Sequence, residues 1–101
     1  MYEGRVEVYV QGAWSTVCDD LWDSLDATVV CRQVGLSPVG AVALSSATFG
    51  QGTGSILLDS VQCTGSELYL TSCPNDGLYI HDCLHSEDAG VRCQGEGWRR
   101  E

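Results

Sequence analysis

Six cysteines in 101 residues are the side chains of this sequence with the clearest chemistry. An even number at this density in a short chain is typical of a disulfide framework formed in an oxidising compartment. The alternative is a metal site, but no Cys-x-x-Cys spacing occurs, and His81-x-Cys83-x-His85 is too tight for a usual zinc loop. We therefore predict disulfides, although spacing alone selects no pairing. The cysteines are Cys18, Cys31, Cys63, Cys73, Cys83 and Cys93.

The side chains that could support catalysis are few. His81 and His85 are the only histidines, and Ser86 with several aspartates lies nearby, so a nucleophilic triad is conceivable. No Gly-x-Ser-x-Gly or other nucleophile motif supports a triad, and packing or hydrogen bonding is the simpler role for His85. The glycine-rich run at 50–54 lacks the Lys-Ser/Thr of a phosphate-binding loop, which favours a backbone bend. We predict no catalytic residue and no enzymatic activity.

The charge balance limits the partners that this chain can bind. Fourteen acidic residues against five basic ones give a formal charge of −9, and only Arg99 and Arg100 adjoin each other among the basic residues. Nucleic-acid binding requires clustered Lys and Arg, so we exclude it. No apolar run approaches the ~20 residues that span a bilayer, so we expect no membrane insertion. An acidic surface instead favours a cationic partner or metal ions.

Hydrophobic periodicity predicts several short elements. Alternation over Arg5–Val10 indicates a half-buried strand, Gln11-Gly12 a turn, and 13–18 the returning strand of a hairpin. The pattern also predicts short strands at 39–44, within 55–63 and at 90–93. It predicts a short helix at 65–73 and a turn at 74–77.

The stretch 23–35 is ambiguous on pattern. Its apolar residues alternate as in a strand, but they also recur at helical spacing. β-Branched residues at 28–30 weaken a helix, whereas Asp23 or Ser24 can cap a helix start and Gly35 can close its end. The capping signals favour a helix.

Six ordered motifs then reveal a resemblance. They are Gly4–Val8, Trp14–Asp20, Val29–Gly35, Phe49–Gly54, Leu58–Gly65 and His85–Val91. Together they resemble the scavenger receptor cysteine-rich family from about Gly4 to Cys93. The six-cysteine count is similar to the family's group A rather than to its eight-cysteine group B.

The resemblance implies both the fold and the cysteine pairing. It implies an α+β fold in which a curved antiparallel sheet cradles one main helix at about 24–34, with a short second helix. The implied disulfides are Cys18–Cys83, Cys31–Cys93 and Cys63–Cys73. We interpret 1–94 as a single domain and 95–101 as a linker or a tail added for expression. The chain is then one piece of a larger, multidomain extracellular protein.

The resemblance also implies a cation site. Pairing Cys18 with Cys83 brings their Cα atoms within about 7 Å, and so draws Asp19 and Asp20 next to Asp82 and, one turn away, Glu87. Family members that bind ligands through calcium or magnesium use residues that correspond here to Asp19, Asp20 and Glu87. A second, weaker site corresponds to Asp59, Ser60 and Asp82, where Ser60 replaces a common aspartate. Clustered carboxylates repel one another, which a weakly bound Ca²⁺ or Mg²⁺ relieves.

The function that the resemblance implies is ligand recognition. The expected ligands are polyanions, microbial surface components, as in innate immune pattern recognition, or other extracellular proteins, with the cation as a bridge. The alternative is a cation-independent protein–protein interaction domain, possibly an accessory of a larger enzyme such as a serine protease. The segment 6–14 resembles a strand implicated in bacterial binding by some members. Its simpler interpretation is structural, with Val6, Val8 and Trp14 in the core.

Overall fold

The computed structural model describes residues 1–95, so the segment 96–101 of the predicted tail lies outside the described residues. The elements are β1 (Tyr2–Arg5), β2 (Glu7–Val10), β3 (Ala13–Val17), α1 (Ser24–Gln33), β4 (Val42–Leu44), β5 (Ile56–Leu58), 3₁₀ segments at Leu70–Ser72 and His85–Glu87, and β6 (Gly90–Cys93). Within residues 1–95, no helix has the length and apolarity needed to cross a bilayer.

The strands form two three-stranded sheets, ordered β1-β6-β4 and β2-β3-β5. Every pair is antiparallel except β3–β5, which is parallel. The predicted single strand over Arg5–Val10 is split at Val6, whose N–H donates to the Ala89 carbonyl at 3.0 Å rather than to a strand of either sheet. One curved sheet is therefore divided in two at this point. The α+β class itself is confirmed.

The stretch around residues 24–33 is a helix because its first turn is capped from both sides. The Asp23 side chain accepts hydrogen bonds from the Leu25 and Asp26 N–H groups, and the Asp26 side chain accepts from the Asp23 N–H at 2.9 Å. This reciprocal arrangement is a capping box, and it satisfies amide groups that a helix start leaves open. Gly35, at φ +86°, ends the helix in a conformation that a side chain would disfavour. Helix α1 packs on β6 and β4.

Three predicted elements are shorter than the pattern indicated. Strands β4 and β5 have three residues each, and the predicted helix at 65–73 is reduced to the 3₁₀ segment Leu70–Ser72. The reason in the last case is Glu67, whose carboxylate accepts the Thr64 and Gly65 N–H groups and closes a loop in place of a helical turn. Side-chain hydrogen bonds to local backbone compete with helix formation in this way.

The core placement of Trp14 was wrong. Val6 is buried and Val8 is partly buried, as expected, but Trp14 is 59% exposed. It pairs across the β2–β3 hairpin with Tyr9, whose ring centroid lies 5.2 Å away in an edge-on arrangement. The two rings therefore cover each other on the outer face, and the hairpin buries the neighbouring Ser15 instead.

Three disulfides staple this small core, and they are the pairs that the resemblance implies. They are Cys18–Cys83, Cys31–Cys93 and Cys63–Cys73, with sequence separations of 65, 62 and 10. In the chain-entropy model each long crosslink contributes about 4 kcal/mol and the short one about 3 kcal/mol. The first long crosslink positions the candidate site, and the second ties α1 to β6.

Candidate metal centre

The Cys18–Cys83 disulfide holds the end of β3 against the loop that precedes the second 3₁₀ segment, with Cα atoms 6.3 Å apart. The end of β5 lies beside this junction because the Cys18 N–H donates to the Leu58 carbonyl at 2.9 Å. Each of these three chain segments places one aspartate at the junction. They are Asp20 after Cys18, Asp59 after Leu58, and Asp82 before Cys83.

These aspartates converge. One carboxylate oxygen from each of Asp20, Asp59 and Asp82 lies within 4.8 Å of the others, and we call this group the carboxylate pocket. Asp59 is only 2% exposed, whereas Asp82 faces solvent, so the pocket runs from the edge of the core to the surface. It forms part of a shallow groove of about 290 Å³ whose other lining residues are Ser60, Asp76, Ile80 and His81.

The carboxylate pocket concentrates negative charge. The pKa of Asp20 is raised from 3.8 to about 6, first by partial burial and then by the charges of Asp59 and Asp82. Like charges this close oppose simultaneous ionisation, so either a proton or a cation stabilises the group. Within residues 1–95 the ion pairs lie elsewhere, and none includes these three aspartates. The pairs are Arg5–Glu7, Arg92–Glu3 and His85–Asp88.

Glu87 lies close to Asp20, apart from the carboxylate pocket. One of its oxygens, an oxygen of Asp20 and the sulfurs of Cys18 and Cys83 lie within 4.8 Å of one another. The sulfurs belong to a disulfide, so they carry no hydrogen and are not thiolate ligands. The Glu87 Oε1 atom is buried and has no hydrogen-bond partner among the described residues. Asp20 is thus shared between Glu87 and the carboxylate pocket.

The predicted ligands are regrouped in the structure. Among residues 1–95, Asp19 belongs to no cluster of three possible metal-ligand atoms. Its Oδ2 instead accepts the Ser46 N–H at 2.7 Å. Of the first predicted set, Asp20 and Glu87 come together. Both aspartates of the second set, Asp59 and Asp82, join Asp20. Ser60 contributes its N–H to the Asp59 carboxylate at 2.7 Å.

The residues present fit a hard divalent cation. The available donors are carboxylate oxygens, which Ca²⁺ and Mg²⁺ prefer, and soft ligands such as free thiolates are not offered because the described cysteines are all paired. The orphaned Glu87 oxygen is a second indication, since a buried carboxylate oxygen without a partner is costly. The open, partly exposed geometry suits calcium better than magnesium, which demands a near-ideal octahedron.

The histidines do not form a catalytic arrangement. Both ring nitrogens of His85 face acceptors, Nδ1 the buried Asp88 carboxylate at 3.0 Å and Nε2 the Gly54 carbonyl at 2.9 Å, and the protonated ring donates to both. The Gly54 hydrogen bond and then the Asp88 carboxylate raise the pKa of His85. No nitrogen is left to activate Ser86. His81 Nδ1 accepts the Cys83 N–H at 3.0 Å, which is also a structural role.

Two features of the site were not anticipated. Asp76 lines the groove because its N–H donates to the Asp59 carbonyl at 3.2 Å, and Asp59 of the second predicted set joins Asp20 of the first. The turn signal at 74–77 could have indicated Asp76 as a surface carboxylate. Its position beside Asp59, however, depends on a contact between segments that no local pattern encodes.

Comparisons with known proteins agree on the family. The profile of the scavenger receptor cysteine-rich domain matches residues 1–94. A scavenger receptor cysteine-rich domain superfamily protein of Patiria pectinifera and a galectin-3-binding protein of Pongo abelii are each 51% identical over 94 residues, 93% of this chain. The chain spans only 8% and 16% of the lengths of these two relatives.

Solved structures agree on the fold. The scavenger receptor cysteine-rich domain of mouse MARCO, in its dimeric form, matches with a TM-score of 0.84 at 47% identity, covering 92% of this chain and 87% of that one. The third such domain of murine neurotrypsin gives 0.80 at 51%, covering 90% and 84%. Domains of this kind are extracellular, non-enzymatic interaction modules of receptors and other multidomain proteins. This chain belongs to the scavenger receptor cysteine-rich family.

Proposed function

We propose that this domain is the ligand-binding module of a secreted or membrane-anchored protein, and that it binds Ca²⁺ or Mg²⁺ at the carboxylate pocket. The observation that carries the proposal is the convergence of three carboxylates from three separate segments, none with an ion-pair partner among residues 1–95. Asp20, Asp59 and Asp82 would hold the cation, and Glu87 would join through its proximity to Asp20. Ser60 positions Asp59.

The cation would connect the domain to its ligand. Calcium accepts six to eight oxygen ligands, so a shallow groove with three or four carboxylates leaves positions for water or for ligand oxygens. Sulfate, phosphate or carboxylate groups of a polyanion or a microbial surface could fill those positions and so overcome the repulsion of an acidic domain. Affinity for the free ion is expected at roughly 10⁻⁴–10⁻³ M, as in other extracellular modules. Linked copies would gain avidity through effective concentration.

Calorimetric titration with CaCl₂ tests the cation site. We expect the wild-type domain to bind calcium and the Asp20→Asn variant to lose at least tenfold in affinity, because Asp20 is shared by both carboxylate groups. Glu3→Gln is the matched control, since it removes one surface carboxylate that pairs with Arg92 instead. No calcium heat from the wild type, or an equal loss in both variants, would reject the site.

A second candidate is cation-independent recognition of a protein, with this piece an accessory of a larger extracellular enzyme such as a serine protease. The exposed Tyr9–Trp14 pair favours it, because paired aromatic rings at a surface are common anchors of protein interfaces. Binding that survives a chelator but weakens with salt would select this alternative over the cation bridge.

A further inference from the structure

Asp76 is followed by Gly77, and this is the only Asp-Gly pair in the sequence. An aspartate before glycine is especially prone to spontaneous rearrangement of the main chain. Glycine has no side chain to hinder its own nitrogen from attacking the preceding carboxyl group. Every other aspartate of the chain precedes a residue that carries a side chain. The chemistry of the sequence therefore singles out position 76.

Asp76 lies where the fold permits this reaction. The chain between the 3₁₀ segments at Leu70–Ser72 and His85–Glu87 is loop, and Asp76 is exposed at a bend within it. Loops open more readily than helices and strands, so the backbone rotation that ring closure requires is easier there. The Asp76 carboxylate takes part in none of the ion pairs among residues 1–95. Water also reaches the exposed side chain, as the later hydrolysis requires.

The backbone at Gly77 has a conformation that favours glycine. Its φ is +111°, which residues with a side chain rarely adopt. A β-carbon at this position would also lie 3.2 Å from the Ile80 Cγ1 atom, which is a tight contact. A larger residue, which would slow the attack, is therefore disfavoured at 77. The reactive pair is built into the geometry of the loop.

One side chain restrains the attacking nitrogen. The Gly77 N–H donates to Asn75 Oδ1 at 2.7 Å, and Asn75 Nδ2 donates to the Cys73 carbonyl at 2.9 Å. This local turn fixes the peptide plane between Asp76 and Gly77 with its N–H toward Asn75. The Gly77 nitrogen must leave this position to reach the Asp76 Cγ atom, so the hydrogen bond to Asn75 opposes ring closure.

We propose that Asp76–Gly77 is a site of spontaneous isomerisation to isoaspartate, and that the Asn75 side chain restrains the reaction. The Gly77 nitrogen forms a bond to Asp76 Cγ, the bond from Cγ to its hydroxyl group breaks, and the hydroxyl leaves as water with the amide proton. Water then opens the five-membered ring. Attack at Cγ restores aspartate, whereas attack at the main-chain carbonyl carbon leaves the main chain running through Cβ and Cγ.

Isomerisation changes the rim of the shallow groove that Asp76 lines without changing its charge. The main chain gains one atom between Asp76 and Gly77, and the carboxylate is then attached directly to the Asp76 Cα atom. Asp76 is not among the ligands of the proposed cation site, so the inference does not rest on the proposed function.

Peptide mapping of the intact, oxidised chain after incubation at pH 5 and 37 °C tests the site. This pH keeps a fraction of aspartate side chains protonated, which is the form that loses water. Electron-transfer fragmentation identifies isoaspartate at each position. We expect at least tenfold more isoaspartate at 76 than at any other aspartate of the chain. Asp76→Glu is the control, because it keeps the charge but would need a six-membered ring, which forms far more slowly.

Two variants of Asn75 test the restraint. Asn75→Ala removes the acceptor and should raise the rate of isomerisation about three- to tenfold, because one ordinary hydrogen bond no longer opposes the rotation. Asn75→Asp keeps an acceptor oxygen in the same place and should isomerise at 76 at close to the wild-type rate. Both variants lose the Asn75 donor, so their comparison isolates the acceptor.

The outcomes separate this inference from the cation proposal. Isoaspartate spread evenly over the aspartates would overturn the modification site, and equal rates in Asn75→Ala and Asn75→Asp would overturn the restraint. Isomerisation confined to position 76 in a domain that gives no calcium heat would support the modification site while rejecting the calcium site.

Discussion

At the scale of single residues, Asp20 and Asp88 show how similar carboxylates acquire different roles. Asp88 is fully buried and satisfied, accepting the Gly52 N–H at 2.7 Å and the His85 ring at 3.0 Å. The pKa of Asp20 is raised to about 6, first by its partial burial and then by the neighbouring Asp59 and Asp82 carboxylates. The hydrogen-bonded Asp88 carboxylate stabilises the fold, whereas a cluster of like charges such as that around Asp20 is typical of a ligand-binding site.

The His85–Asp88 contact makes stability depend on pH. The pKa of His85 is raised in the folded domain above its ordinary value of 6.5 by the Gly54 carbonyl and the Asp88 carboxylate. The protonated ring therefore contributes stability that is fully present below pH 6.5 and is lost as pH rises through the folded pKa. Melting temperatures from pH 5 to about pH 9 should show this loss in the wild type and a flatter profile in His85→Gln. Parallel profiles would contradict the assigned role.

At the scale of elements, α1 is connected to the rest of the domain through its first turn. Asp26 is completely buried, and its Oδ1 accepts the Cys63 N–H at 2.8 Å while its Oδ2 closes the capping box. One side chain thus caps the start of the helix and holds the loop that begins the short disulfide. Capping residues on the surface perform only the first of these tasks.

Removing the Asp26 side chain should destabilise the domain. We expect Asp26→Ala to lower the free energy of unfolding by about 2 to 4 kcal/mol, because it deletes a cap and leaves the buried Cys63 N–H without an acceptor. Urea denaturation followed by circular dichroism measures the change. Thr28→Ala, in the same helix with its hydroxyl bonded only to the Ser24 carbonyl, is the control and should change stability little. Similar losses in both variants would contradict the argument.

At the scale of the whole molecule, the disulfides replace a large core. The two sheets and one ten-residue helix bury few large side chains, and much of the chain between β4 and β6 is loop. A domain of this size without crosslinks is marginally stable. The long crosslinks also bring distant segments to one junction, so they serve the candidate site as well as the fold.

Deleting disulfides one at a time should separate these contributions. We expect the Cys31→Ala/Cys93→Ala variant to lose about 4 kcal/mol and the Cys63→Ala/Cys73→Ala variant about 3 kcal/mol, because the loops they close differ in length. Thermal melts of the oxidised variants, with the wild type reduced by dithiothreitol as the fully uncrosslinked reference, measure both. A larger loss for the short crosslink would contradict the loop-entropy account.

Local patterns and the family resemblance together predicted the hairpin, the helix and the disulfide framework, because alternation, capping residues and motif spacing are properties of contiguous sequence. The division into two sheets, the outward face of Trp14 and the pairing of Asp19 with Ser46 arise from contacts between distant segments. The carboxylate pocket is divided between the two: the implied Cys18–Cys83 bridge already predicted Asp20 next to Asp82. Asp59 joins them only because β5 packs beside Cys18, and that contact holds the like charges together against their repulsion.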